Sequence, residues 1–424
     1  MPNQKLFKNY FSIIFVKGIN LIFPILILPY LTKVFQPDDL GNYYFLQALT
    51  AYFVILIDYG FEFYAPKVIA PKQNDNKFIS DFISSAFCLK FLITLASSFL
   101  FIFIFFLTSL GEKNALLYFS FLFILLANAI NPLWYFLGME KIRILSTATA
   151  ISRLLLFFLI FLLVNKQSQL FFLPLFEGAI SLITNSLVLL FVLRKEKRFW
   201  VPPTLAKIKL IAKDSFLLFY SRISISLYTV SNPFILGYFA SPTQVGIFTA
   251  ALKIVELIQS LIHPFNQILY PYITKLREES PDVANKFALK ALITLFILFF
   301  TICSGTSFYA DYFLPLLLGN KFHDSILVFK KLIFAVVFIA ISGVIGFMIL
   351  LPAGHKKIFS YIISVCAVLS IISSIILVPI WHEEATTWIF VSTEACIAIL
   401  MVIAALRLKL IKLSFKSIPY RIKK

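Results

Sequence analysis

Acidic residues are scarce in this chain, with 20 Asp and Glu against 38 Lys and Arg in 424 residues, a formal net charge of +18. Histidine and cysteine are scarcer, at four each. Cys88, Cys303, Cys366 and Cys396 lie far apart in apolar stretches and have no metal-ligand spacing, so they read as small core residues. The histidines are scattered too, which argues against a metal site. Glycine numbers only 13, and no phosphate loop or strand–glycine–helix nucleotide unit occurs, which argues against ATP hydrolysis on this chain.

Apolar sequence is abundant. Hydrophobic residues make up 60% of the chain, and the mean hydropathy is +0.92. Long apolar runs of about 20 residues mean membrane helices. Twelve segments qualify, at 11–32, 40–65, 82–107, 115–138, 147–165, 170–193, 215–237, 244–272, 287–308, 326–351, 359–379 and 387–406. The expected fold is therefore an all-α integral membrane protein of about 12 transmembrane helices.

The positive charge does not point to nucleic acid. With the N-terminus in the cytoplasm, the inside segments carry 26 Lys and Arg and the outside loops only four, Lys33, Lys113, Lys166 and Lys321. This is the positive-inside pattern, and it places both termini in the cytoplasm. The basic stretch 194–214, with Pro202-Pro203, reads either as a linker between a lobe at 1–193 and a lobe at 215–424, or as a surface segment that binds anionic lipid heads. Segment one follows Lys5 and Lys8 with no small-residue cleavage site, so it is expected to remain as an anchor.

The two halves resemble one another. At an offset of 205, Lys8 falls on Lys213, Lys17 on Arg222, Pro37 on Pro242, Gly41 on Gly246 and Pro66 on Pro271. At an offset of 200, Leu89-Lys90-Phe91-Leu92-Ile93-Thr94-Leu95 matches Leu289-Lys290-Ala291-Leu292-Ile293-Thr294-Leu295 at six of seven positions. Six segments separate each pair, so the copies share one membrane orientation. That predicts parallel six-helix repeats about an axis along the membrane normal, with the site between them.

Charges in hydrocarbon usually face a protein interior or a water-filled cavity. Lys17 and Arg222 are such charges, one per half, and suggest a positive cavity for an anionic cargo. Both lie about 10 Å inside the cytoplasmic edge at 1.5 Å per residue, where a long side chain can also snorkel to water. Lys90, Lys290, Lys330 and Lys331 lie near segment ends and read as snorkelling cations. In segment eight, Thr249, Lys253, Glu256, Ser260, His263 and Gln267 recur at spacings of three and four, which gives one narrow polar face. The offset of 205 places Asp58 and Glu62 of segment two in phase with His263 and Gln267. Asn20 shares a face with Lys17. Glu256 could neutralise Lys253 from three residues away. Arg153, Glu177 and Glu394 have no partner identifiable from sequence. Prolines such as Pro24, Pro29 and Pro233 fit either static bends or hinges.

Several stretches carry a family resemblance. They are Pro29-Tyr30-Leu31-Thr32-Lys33-Val34-Phe35, Leu40-Gly41, Asp58-Tyr59-Gly60-Phe61 and Trp134-Tyr135-Phe136-Leu137-Gly138-Met139-Glu140-Lys141. In the second half they are Asn232-Pro233-Phe234-Ile235-Leu236-Gly237, Ala251-Leu252-Lys253-Ile254, Leu269-Tyr270-Pro271 and Leu317-Leu318-Gly319. In order and spacing the chain resembles the lipid-linked oligosaccharide flippases of O-antigen and related polysaccharide synthesis. These form the polysaccharide-transporter branch of the multidrug/oligosaccharidyl-lipid/polysaccharide (MOP) exporter superfamily.

The resemblance implies two six-helix lobes, alternating access and a location in the bacterial inner membrane. The implied cargo is an undecaprenyl-diphosphate-linked glycan. Its cationic cavity would draw on Lys17, Arg222, Lys253 and Arg153. It implies no bound cofactor, with proton or cation coupling through groups such as Asp58, Glu62, Glu256 and His263. Membrane lipids, a polysaccharide polymerase and a chain-length regulator are the implied partners. Two other readings remain: a drug or metabolite exporter, and a membrane polymerase or ligase. Cationic drugs favour an acidic cavity, and a polymerase needs a catalytic outer loop, whereas the longest one here, near 309–325, holds only Asp311 and Asp324 as carboxylates.

Overall fold

The computed structural model describes residues 23, 26–107, 114–195 and 200–411. Among these the chain is helical throughout, with no strand. Residues 26–34 form α1. Then follow α2 (Pro37–Asp58), α3 (Phe61–Ile69), α4 (Asn76–Leu107), α5 (Ala115–Ser120), α6 (Leu122–Ala129), α7 (Leu133–Gly138), α8 (Ile142–Leu163) and α9 (Phe172–Lys195). The remaining helices are α10 (Leu205–Thr229), α11 (Ser231–Phe239), α12 (Pro242–Ser260), α13 (Ile262–Glu279), α14 (Pro281–Phe308), α15 (Ala310–Leu318), α16 (Ser325–Leu332), α17 (Ala335–Val344) and α18 (Lys356–Arg407). A π-helical turn, Ile345–Leu350, continues α17.

Eight helical stretches among the described residues are long and apolar enough to cross a membrane. One of them, α18, is two helices joined at His382, whose φ of 47° and ψ of −123° break the helix in the loop expected between segments eleven and twelve. Segments seven and eight, now α10–α11 and α12–α13, are not among the eight. Their charged and hydroxyl side chains lower the hydropathy, as expected for helices that face a polar interior.

Several expected single helices are broken. Segment two divides into α2 and α3 at Tyr59 and Gly60, both left-handed with φ of 46° and 73°. A Cβ at Gly60 would lie 2.7 Å from the Phe219 backbone nitrogen, so glycine also permits α10 to approach. Segment seven breaks at Val230, three residues before Pro233, which has no N–H to continue the ladder. Segment eight breaks at Leu261.

Helices α2 and α12 form the centre and begin alike. Gln36 is extended, Pro37 opens α2, and the Asp39 carboxylate accepts the Gln36 N–H at 3.1 Å. Ser241 caps α12, Pro242 opens it, and Gln244 Oε1 accepts the Ser241 N–H at 3.0 Å. Proline suits the first turn because its missing donor would have no partner there. The two helices cross backbone to backbone. A Cβ on Gly41 would lie 1.7 Å from the Pro242 carbonyl oxygen, and one on Gly246 would lie 2.0 Å from that of Pro37. Residues equated by the offset of 205 thus touch reciprocally, with the close approach that small residues give in membranes. Stacking of Phe45 on Phe234, at 5.6 Å between ring centroids, extends the seam. Peripheral helices instead expose Phe99, Phe106, Leu162 and Leu187, as lipid-facing surface would.

Candidate functional site

Below the α2–α12 crossing lies a cavity of about 710 Å³. Its walls include Gln47, Thr50 and Val54 of α2, Phe63 of α3, Asn128 of α6, Glu177 of α9, and Leu218 and Arg222 of α10. A second cavity of about 230 Å³ is lined by Tyr43, Tyr44, Gln47, Arg153, Glu177 and Lys253, among others. Gln47 and Glu177 belong to both walls, so the two spaces adjoin.

Three of the expected cations line these spaces, and each has a carboxylate. Arg222 Nη1 is 3.0 Å from Glu62 Oε2 and lies 5.7 Å from the centre of the Phe63 ring. Arg153 Nη1 is 2.8 Å from Glu177 Oε1, and its guanidinium stands 5.2 Å from the Phe23 ring. Lys253 Nζ is 2.9 Å from Glu256 Oε2, three residues on in α12. Sequence left Arg153 and Glu177 without partners, yet α8 and α9 bring them together. Among the described residues the site is thus a set of neutralised pairs rather than an unopposed positive field. Pairing offsets the desolvation of a half-buried cation, and an entering anion must displace the carboxylate.

The expected common face of Asp58 and Glu62 does not survive the break between α2 and α3. The 100° count requires one continuous helix, and the left-handed residues Tyr59 and Gly60 reset the phase. Asp58 lies beside Lys90 within charge-interaction range and is absent from both cavity walls. Its Oδ2 has no hydrogen-bond partner. Glu62 turns the other way, to Arg222. Thr249 is buried, with an unpartnered hydroxyl, and Ser260 donates to its own helix at Leu257 O, 2.6 Å away. Among the described side chains of the segment-eight stripe, Lys253 alone lines the smaller cavity. Lys17 and Asn20 lie outside the described residues, as do the side chains of His263 and Gln267.

Lys90 corrects the snorkelling expectation. Its side chain is 1% exposed, and its Nζ lies 3.5 Å from the Asn131 carbonyl oxygen. Its repeat mate Lys290 is exposed. At the outer ends, Lys330 meets Asp311 at 2.6 Å and Lys331 meets Glu384 at 2.7 Å. Asn128, Asn131 and Asn185 also project into polar space, a role that sequence reasoning missed although asparagine in an apolar segment is itself a signal.

Comparison with known proteins follows the same lines. A family model described as "Polysaccharide biosynthesis protein" matches residues 6–277. Two curated relatives are provisionally named O-antigen transporters. The one from Escherichia coli (strain K12) is 28% identical over 410 residues, covering 93% of this chain and 95% of the relative. The one from Shigella dysenteriae is 26% identical over 396 residues, covering 93% and 98%. Among solved structures, lipid II flippase MurJ in an inward closed conformation superposes with a TM-score of 0.70 at 16% identity, over 94% of this chain and 87% of that one. An inward-facing multidrug resistance MATE family transporter of the MOP superfamily gives 0.67 at 15% identity, over 93% and 94%. At these identities the likeness to the solved structures is one of fold.

Proposed function

The chain belongs to the polysaccharide biosynthesis protein family, and from that membership we propose that it is a flippase for undecaprenyl-diphosphate-linked oligosaccharide repeat units in the bacterial inner membrane. It is a transporter rather than an enzyme, as its named relatives are. The proposed organisation is twelve spans with both termini cytoplasmic. A lobe at 1–193 and a lobe at 215–424 are joined by the basic linker 194–214. The eight apolar stretches, the two helices within α18 and the less apolar α10–α13 support that count.

The observation that carries the reading is Arg222 in the wall of the larger cavity, held by Glu62 and backed by Phe63. A diphosphate arriving from the cytoplasmic side takes the guanidinium from Glu62, with Lys17 as the second cation. Two charged phosphates need such donors because water is lost on entry. Gln47, Thr50 and Asn128 offer polar groups to the glycan, and the polyprenyl tail stays in lipid. The Gly41–Gly246 crossing seals the outer end in the inward-facing state and separates when the site turns outward. Lys253 and Arg153 are assigned to later contacts along the same path. Coupling to a proton or cation is assigned to the carboxylates Asp58, Glu62 and Glu256, with His263. A polymerase and a chain-length regulator would receive the product.

Arg222→Ala and Lys17→Ala, tested separately in a flippase-null strain, should each abolish surface glycan while the protein still inserts. Full complementation by both variants refutes the assignment. Deletion of the gene should leave lipid-linked repeat units on the cytoplasmic face. Loss of their synthesis would instead indicate an enzyme, and altered drug resistance with intact glycan display would indicate an exporter.

A further inference from the structure

A third cavity, enclosed by α6, α8 and α9, holds about 220 Å³. That is room for about seven waters at liquid density. We propose that this chamber is a saccharide subsite that takes one sugar ring of the transported glycan, a role that rests on the flippase reading above.

The chemistry of the wall favours a neutral polyol. Three carboxamides, Asn128, Asn131 and Asn185, face it with the hydroxyls of Ser152 and Thr184. Each amide is fixed by one backbone contact. Asn128 Nδ2 donates to Ile124 O at 2.8 Å, Asn185 Nδ2 donates to Ala127 O at 3.1 Å, and Asn131 Oδ1 accepts the Leu133 N–H at 3.0 Å. An amide has two donor hydrogens and a two-lone-pair oxygen, so each of the three retains capacity for a ligand. Ser152 donates to Ala148 O at 2.8 Å, so Thr184 donates to Ser152 at 2.6 Å and keeps acceptor capacity for a sugar hydroxyl. The charged groups in the wall, Arg153 and Glu177, neutralise each other at 2.8 Å. Among the described residues no cluster of three or more His, Cys, Asp and Glu could hold a metal ion. Donors and acceptors are therefore mixed and without net charge, which suits sugar hydroxyls and does not suit a diphosphate.

The chamber is also in the right place. Ile124, Asn128 and Glu177 line both it and the larger cavity, so it branches from the space where Arg222 would hold the diphosphate. The sugar bonded to the diphosphate stays beside Arg222, and a later sugar of the repeat unit enters the chamber. Specificity follows from these half-buried polar groups, because a site built to hydrogen-bond a hydroxyl rejects a cargo that leaves those groups unpaired.

The test uses the full-length protein in proteoliposomes with two lipids. One is undecaprenyl diphosphate bearing a single N-acetylglucosamine. The other bears the complete repeat unit of the strain that encodes the protein. Thr184→Val and Asn185→Leu should each slow flipping of the complete unit by about tenfold or more and leave the single-sugar lipid within about twofold of its normal rate. Retained single-sugar flipping reports that the variants are folded. Equal slowing of both lipids, or no slowing of either, overturns the subsite. If the unsubstituted protein flips neither lipid, the flippase reading falls and the subsite with it.

Discussion

Gly41→Ala tests the central seam, and its size follows from the geometry. The new Cβ would stand 1.7 Å from the Pro242 carbonyl oxygen, where an ordinary van der Waals contact begins near 3.4 Å. Restoring such a contact parts α2 and α12 by about 1.7 Å. The obstacle is backbone, so no side-chain rotation relieves it. Overpacking of this kind costs about 1–3 kcal/mol. If the contact exists only while the outer end is closed, the whole cost falls on that state. The ratio of inward- to outward-facing molecules then drops about 5- to 150-fold. The assay is a spin-label distance between Asp38→Cys and Thr243→Cys, both exposed at the outer ends of α2 and α12. Gly41→Ala should broaden and lengthen that distance and reduce glycan display. Gly246→Ala should do the same, starting from a 2.0 Å contact. The double variant should cost less than the sum, because one separation relieves both contacts. An unchanged distance distribution with full transport in Gly41→Ala would refute the reasoning.

Other substitutions separate buried from exposed charge. Lys90→Met should strip Asp58 of its neighbouring cation and destabilise the protein by about 3 kcal/mol, and Lys90→Met with Asp58→Asn should recover much of that in detergent thermal unfolding. Glu384→Gln, which removes the exposed partner of Lys331, should change stability by less than about 1 kcal/mol in the same measurement. Glu62→Gln should free Arg222 for phosphate, so inorganic pyrophosphate should protect a Gln47→Cys variant from thiol labelling more strongly than it protects the Glu62-containing parent; equal protection would deny the exchange of partners. Arg153→Met should impair transport more than Arg153→Lys, because only a cation can answer Glu177.

Much of the architecture was legible because it rests on local or averaged properties. Apolar runs located the eight stretches long enough to cross a membrane, and the basic loops gave an expected orientation. The offset of 205 singled out Pro37, Gly41, Pro242 and Gly246 because matches of unlike residue type are rare in a chain rich in Leu, Ile and Phe. The polar faces were less legible. Asp58 and Glu62 were projected onto one face by counting through Tyr59 and Gly60, and a helical count ends wherever φ turns positive. Lys90 seemed able to reach water from its place near a segment end, but α4 packs that face inward beside Asp58 and the Asn131 carbonyl.

The sequence by itself determined the class of molecule, an all-helical membrane protein with repeat-related central helices, because hydrophobicity and glycine spacing are written along one chain. The tertiary structure decided which charges meet. Arg153 with Glu177, Arg222 with Glu62 and Lys90 beside Asp58 are pairs between helices 24 to 160 positions apart. Ion pairing falls off with distance in space, and distance in space depends on how separate helices pack, which no periodicity within a single helix encodes.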